Sequence, residues 1–179
     1  MASLELADSM LLSGYLLGED TMLVAASEAL VRAYCGWHVA PSRDETFVMD
    51  GPGGHELMLP SLYVTEVASV TEDDVVLVAD TDYEWSANGR VWTPGVWTTT
   101  LRGISVDVTH GYDVVPLEVQ AVVLGVASRA AASPNGIVSQ TAGPFSVTYS
   151  QTGSNTAGGI SLLALEMSVL DRYKIASVA

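Results

Sequence analysis

Residues 117–131 constrain this chain most, because they have helical spacing and are apolar on both sides. Val119, Val122, Val123, Val126 and Ala130 fall three and four apart along one stripe, while Leu117, Ala121, Leu124 and Ala131 make the opposite side apolar too. Only Glu118, Gln120, Ser128 and Arg129 are polar. Such a helix asks for burial on both faces, so it is either central in a domain or shared between subunits. Gly125 costs about 1 kcal/mol of helix propensity relative to Ala and leaves room for close approach of another backbone. Pro116 marks the start, where a first helical turn needs no amide donor.

The segment before it has the other period. Ile104, Val106 and Val108 alternate with Ser105, Asp107 and Thr109, the pattern of a strand with one buried face, and Gly111, Tyr112 and Asp113 end it. Short strands are expected around 62–70, 75–78, 83–86, 91–92 and 103–109, separated by turn signals at 72–74, 88–89 and 94–95. ETFVMD and HELMLP, joined by Gly51, Pro52, Gly53 and Gly54, read as a hairpin. Its glycines do not make a phosphate loop, since no Lys with Ser or Thr follows and no helix opens. Trp85, Trp92 and Trp97 are expected to anchor the packing of this region, an exposed aromatic binding surface being the other reading.

The expected fold is α+β: flanking α-helices packed with a central antiparallel β-region, in one domain over residues 1–179. A variable segment covers 1–19. A helix over 20–36 starts at Asp20 as N-cap, carries Leu23, Ala26, Leu30 and Tyr34 on one stripe, and stops at Gly36. The β-region covers 44–113 and the central helix 116–133. Residues 134–158, rich in Ser, Thr, Gly, Asn and Gln, read as a flexible loop with a strand-like island at 145–149. A last helix over 159–174 places Leu162, Leu165, Val169 and Tyr173 on one side, with Arg172 and Lys174 at the negative end of its dipole.

Charge narrows the function. The net charge is −14 with seven Lys and Arg in all, whereas proteins that grip phosphates cluster basic residues. The charges are also segregated: residues 44–84 hold eleven acidic residues and no Lys or Arg, while Arg129 is the only Asp, Glu, Lys or Arg from 119 to 165. The first stretch is wet and the second suits contact. No basic region precedes an apolar segment, and the longest apolar stretch, around 121–132, is too short to cross a bilayer, so a soluble, non-secreted chain is expected.

Catalytic chemistry finds little support. Cys35 is alone, which excludes an internal disulfide or a cysteine zinc site, and it reads as a buried small residue despite His38 three positions on. His38, His55 and His110 lie on separate elements. Asp107 and His110 point to opposite faces of a strand, and Asp113 follows the turn. Ser105 lacks a nucleophile elbow, and Glu72, Asp73 and Asp74 lack the spacing of a calcium loop. No catalytic, cofactor-binding or metal-binding residue is expected; a small hydrolase would require His110 and a carboxylate to converge in a deep pocket.

VDVTHGYDVVPLEVQAVVLGVASRAAASPNG, followed by GPFSVTYS, resembles the head-to-tail adaptor (connector) proteins of tailed bacteriophages, especially siphophages of actinobacteria. ALVRAYCGWHVAPSRDETFVMDGPGG upstream and LALEMSVLDRYK downstream are similar to the same family. The short N-terminus departs from its pattern. The resemblance implies a non-enzymatic virion protein of the neck, assembled in the host cytoplasm as a ring of roughly twelve copies. It further implies binding to the portal on one side and to a stopper or tail-completion protein on the other, with DNA passing through the lumen unread and no membrane involved. The alternative is a stopper or tail-completion protein on a similar scaffold.

Three candidate surfaces follow within that resemblance. Phe145, Val147, Tyr149, Leu162, Leu165, Val169 and Tyr173 are candidates for a portal or ring interface, the other readings being a solvent-exposed linker for the first three and packing of the last helix on the subunit's own core; Val119, Val122, Val126 and Arg129 are candidates for an inter-subunit helix. Glu72, Asp73, Asp74, Asp80 and Asp82 are candidates for an acidic surface that repels DNA, a solvated outer face being the other reading.

Overall fold

The computed structural model describes residues 20–132, 139–142, 145–148, 151–153, 156–157 and 160–175. They are α+β, and they divide into two compact units. One takes in residues 20–35 and the described part of 115–174; the other is residues 36–114 with Ile175.

The helical unit contains α1 (Asp20–Cys35), α2 (Leu117–Ala132) and α3 (Ala164–Leu170), the last running into a 3₁₀ turn at Asp171–Tyr173. α1 packs on α2, and α3 contacts both. The buried face of α1 is Val24, Ser27, Glu28, Val31 and Cys35, rather than the expected stripe through Leu23, Ala26, Leu30 and Tyr34. The helix is apolar around most of its girth, so spacing alone does not select the buried side. Glu28 is tolerated there beside Arg32, one turn on, at 3.7 Å. α3 starts at Ala164 instead of residue 159: Leu163 is extended (φ −78, ψ 155), and its amide donates to Glu166 Oε2 at 2.9 Å. That carboxylate satisfies an N-cap donor and sets the boundary. In the polar tract, β8 (Ser139–Ala142) pairs with β9 (Phe145–Thr148), and β10 (Gln151–Gly153) with β11 (Thr156–Ala157), all antiparallel.

The other unit is two antiparallel sheets around one core. Strands β1 (Arg43–Met49), β7 (Ile104–His110), β3 (Val64–Glu72) and β4 (Val75–Val76) form a four-stranded sheet in that order, and β2 (Glu56–Met58), β6 (Arg90–Trp92) and β5 (Glu84–Trp85) a three-stranded one. The alternation of β7 buries Ile104, Val106, Val108 and His110. Ile104, Val106 and Val108 pack with Leu57, Val64, Val70, Tyr83, Val91 and Trp97, and each fully buried apolar side chain is worth roughly 1.5–3 kcal/mol.

Two expectations fail here. ETFVMD and HELMLP do not pair with each other: β1 pairs with β7 and β2 with β6. The glycine-rich link runs instead along residues 98–100, with the Gly51 amide donating to Thr100 O at 3.0 Å and the Gly53 amide to Thr98 O at 3.2 Å. A Cβ at Gly51 would lie 2.0 Å from Thr98 O, so close backbone approach, not turn formation, demands glycine at that position. Of the three tryptophans, only Trp97 is in the core, at 1 % exposure; Trp85 and Trp92 are exposed. Among the described residues no helix is long and apolar enough to cross a membrane.

Candidate functional site

α2 is buried on one face only. Val119, Val122 and Val126, candidates for contact with a neighbouring subunit, are buried inside the helical unit itself, with Val123, Ala127 and Ala130 beside them. Arg129 is also engaged within the subunit: Nη1 donates to Glu166 Oε1 at 2.6 Å, and Nη2 to Glu166 Oε2 at 2.8 Å and Ser161 O at 3.1 Å. Gly125 makes room for this pair, since a Cβ there would lie 3.2 Å from Glu166 Oε1. The open face is the other one, where Leu117 is 74 % exposed and Ala121, Ser128 and Ala131 are exposed. Two apolar faces of equal merit in the sequence are thereby ranked by packing.

The residues expected on one side of the last helix separate. Leu162 precedes α3 and is half-buried, Leu165 is 76 % exposed and Val169 is half-buried. Tyr173 lies in the 3₁₀ turn and donates its hydroxyl to Glu118 Oε1 at 2.7 Å, which holds that carboxyl below the usual carboxylate range. The buried anchor is Leu170, which the assumed register missed. Phe145 and Val147 lie on β9; Tyr149 lies outside the described residues.

The acidic candidates split by role. Asp73, Asp74 and Asp80 are exposed, with Asp73 and Asp74 (φ 46 and 66) forming the two-residue turn between β3 and β4. Glu72 and Asp82 are half-buried and accept backbone amides, Thr98 N–H at 2.5 Å and Val78 N–H at 2.8 Å respectively. Those two carboxylates fasten loops.

A polar chain missed in the sequence runs Glu45–His110–Ser61. His110 Nε2 lies 3.0 Å from Glu45 Oε2, and Nδ1 lies 3.1 Å from Ser61 Oγ. Burial pulls the His110 pKa down, partly offset by Glu45. With a neutral ring, Nε2–H donates to the carboxylate and Nδ1 accepts from the serine hydroxyl. Burial raises the Glu45 carboxyl, but Arg43, whose Nη2 donates to Glu45 Oε2 at 2.6 Å, and His110 outweigh it and hold that pKa low. The order of groups matches that of a nucleophile, base and acid, yet Ser61 is 1 % exposed and offers no surface to a substrate. A groove of about 360 Å³ on the sheet is lined by Asp44, Glu45, Thr46, Asp107 and Thr109, not by His110 or Ser61. Asp107 there accepts the hydroxyls of Thr46 and Ser69 at 2.5 and 2.6 Å, which holds its carboxyl low. Cys35 is fully buried, and desolvation pushes its thiol up to about 11, with Lys174 pulling the other way. No group of His, Cys, Asp and Glu suited to a metal ion occurs among the described residues.

The described residues leave apolar side chains exposed on two helices, Leu117 on α2 and Leu165 on α3. The model of the head completion protein family matches residues 19–127, more than half of the chain. The chain belongs to the head completion protein family. Membership gives it a structural role in head completion or head-to-tail connection. The fold is that of a chain in the neck of a native gene transfer agent particle with C12 symmetry: TM-score 0.63, 16 % identity, 100 % of this chain and 98 % of that one covered. It is also similar to a chain in the neck of the empty particle with C6 symmetry (TM-score 0.56, 17 % identity, 90 % and 80 % covered). A chain of the native gene transfer agent virion gives a TM-score of 0.57 at 17 % identity, with 91 % and 82 % covered. No curated protein matches the sequence significantly.

Proposed function

We propose that this head completion protein is a non-enzymatic head-to-tail adaptor. It occupies the neck of a tailed virus-like particle as a closed ring of about twelve copies, between the portal and the next neck or tail component. The observation that carries this reading is the likeness in fold, along the whole chain, to a chain of a neck with C12 symmetry. Two features of the subunit support it. The open face of α2, with Leu117, Ala121, Ser128 and Ala131 exposed and uncharged, suits contact with a neighbouring copy. Exposed Asp80, in a chain of net charge −14, suits a channel through which DNA slides without adhesion.

Assembly is templated in this reading. Net negative charge opposes association of free subunits, and the portal supplies the interface that overcomes it. Mixing the purified protein with portal rings of the same particle, followed by mass measurement and electron microscopy, tests the proposal. A symmetric collar on the tail-facing end of the portal is expected; binding to tail tubes or tail-completion proteins alone identifies a stopper instead.

A further inference from the structure

At one end of the β unit, three connections, β1–β2, β3–β4 and β6–β7, are tied together by four hydrogen bonds from backbone amides. The Thr98 amide donates to Glu72 Oε1, the Asp73 amide to Gly103 O at 2.8 Å, the Gly51 amide to Thr100 O at 3.0 Å and the Arg102 amide to Asp50 Oδ1 at 2.7 Å. Three residues without the freedom of glycine, Asp73, Asp74 and Arg102, hold left-handed backbone here, at φ 46, 66 and 56. Non-glycine residues keep such conformations only where their surroundings hold them. This firmly tied end presents apolar side chains to solvent: Val75 is 62 % exposed, Val76 67 %, Val96 63 % and Leu101 77 %. β4, which carries the first two, is an edge strand with one pairing side open.

Around these apolar groups acidic residues outnumber basic ones. Asp50, Glu72, Asp73 and Asp74 stand against the single cation Arg102, and the Asp73 carboxylate lies where a Cβ on Gly103 would meet it, 2.8 Å away. We propose that this end, centred on Val75, Val76 and Leu101, is a docking surface for a protein partner whose face is apolar at its centre and carries Lys and Arg at its rim. Charge complementarity selects that occupant. A second copy presenting the same end would bring like charges together, and nucleic acid would be repelled by the same carboxylates. The proposal rests on the adaptor reading and adds to it the chemistry of one partner.

The test uses two full-length variants. Asp73→Asn with Asp74→Gly removes two charges but keeps the turn, because Asn-Gly is the favoured pair for this geometry. Val75→Thr with Val76→Thr keeps β-branched shape and removes apolar surface. Matching urea unfolding curves establish that both fold. Binding is measured to heads lacking this protein and, separately, to free tails of the same particle, from roughly 0.1 to 1 M salt. Wild type is expected to bind at least one preparation, the threonine pair about tenfold more weakly. The Asn-Gly variant is expected to bind roughly threefold more weakly at low salt, with a flatter salt dependence. Both variants binding as wild type overturns the inference alone, and tighter binding by the Asn-Gly variant overturns it by marking an acidic partner. Wild type binding neither preparation removes the adaptor reading and this inference together.

Discussion

Arg129 on α2 and Glu166 on α3 form a two-pronged ion pair, with N···O distances of 2.6 and 2.8 Å and side chains only 17 % and 13 % exposed. Parallel N–H···O bonds of this kind fix geometry as well as adding energy. The lone charge in the long neutral stretch from 119 to 165 therefore joins two helices of its own unit.

Breaking that pair should destabilise the helical unit. Glu166→Ala leaves a largely buried guanidinium without its carboxylate and removes the acceptor for the Leu163 amide; a loss of about 3 kcal/mol is expected. Urea unfolding followed by circular dichroism reads it, and a loss below about 1 kcal/mol would contradict the assignment.

The tryptophans should differ sharply. Trp97→Ala empties a site at 1 % exposure and is expected to cost about 3–5 kcal/mol. Trp92→Ala, at an exposed position on β6, is expected to cost about 1 kcal/mol or less. Equal losses in thermal unfolding would place Trp92 in the core instead.

His110 gives stability a defined pH dependence. Its pKa is lowered in the fold, so below the ordinary value near 6.5 the unfolded chain takes up a proton that the folded site resists. This contribution is complete above that pH and is lost as pH falls. Glu45, also lowered, adds a loss of the same sign further down, below its ordinary value of 4.5. His110→Gln should flatten the dependence between about pH 7 and 5, measured by urea unfolding at several pH values. An unchanged slope would mean that His110 does not titrate in this window.

The open face of α2 should matter for assembly and not for the fold. Leu117→Glu places an acid in the first helical turn, where the dipole favours it, at a site 74 % exposed. Subunit stability is expected to change by less than about 0.5 kcal/mol, while collar formation on portal rings weakens at least about tenfold. Collars formed as readily as by wild type would remove this face from the ring contact.

Local periodicity made some elements legible and left others open. The alternation of residues 104–109 appears as β7, and the start of α2 after Pro116 was readable because proline and spacing agree. Strand partners were not readable: a glycine-rich link between two short strands implies a hairpin, while the actual pairings of β1 with β7 and β2 with β6 join residues 32 to 67 positions apart. The buried faces of α1 and α2 were ambiguous because both helices are apolar around most of their girth, and only packing chooses. The Glu45–His110–Ser61 chain draws on three separate elements, so no spacing in the sequence announces it.

In the proposed function, copies of this head completion protein close into a ring on the portal. The most direct measurement is the mass of the complex formed when purified subunits meet purified portal rings, with electron microscopy of the same sample. A portal mass increased by about twelve subunits, each of 18.8 kDa, and a symmetric collar at one end are expected. A portal of unchanged mass under conditions where the subunit is folded would contradict this proposal.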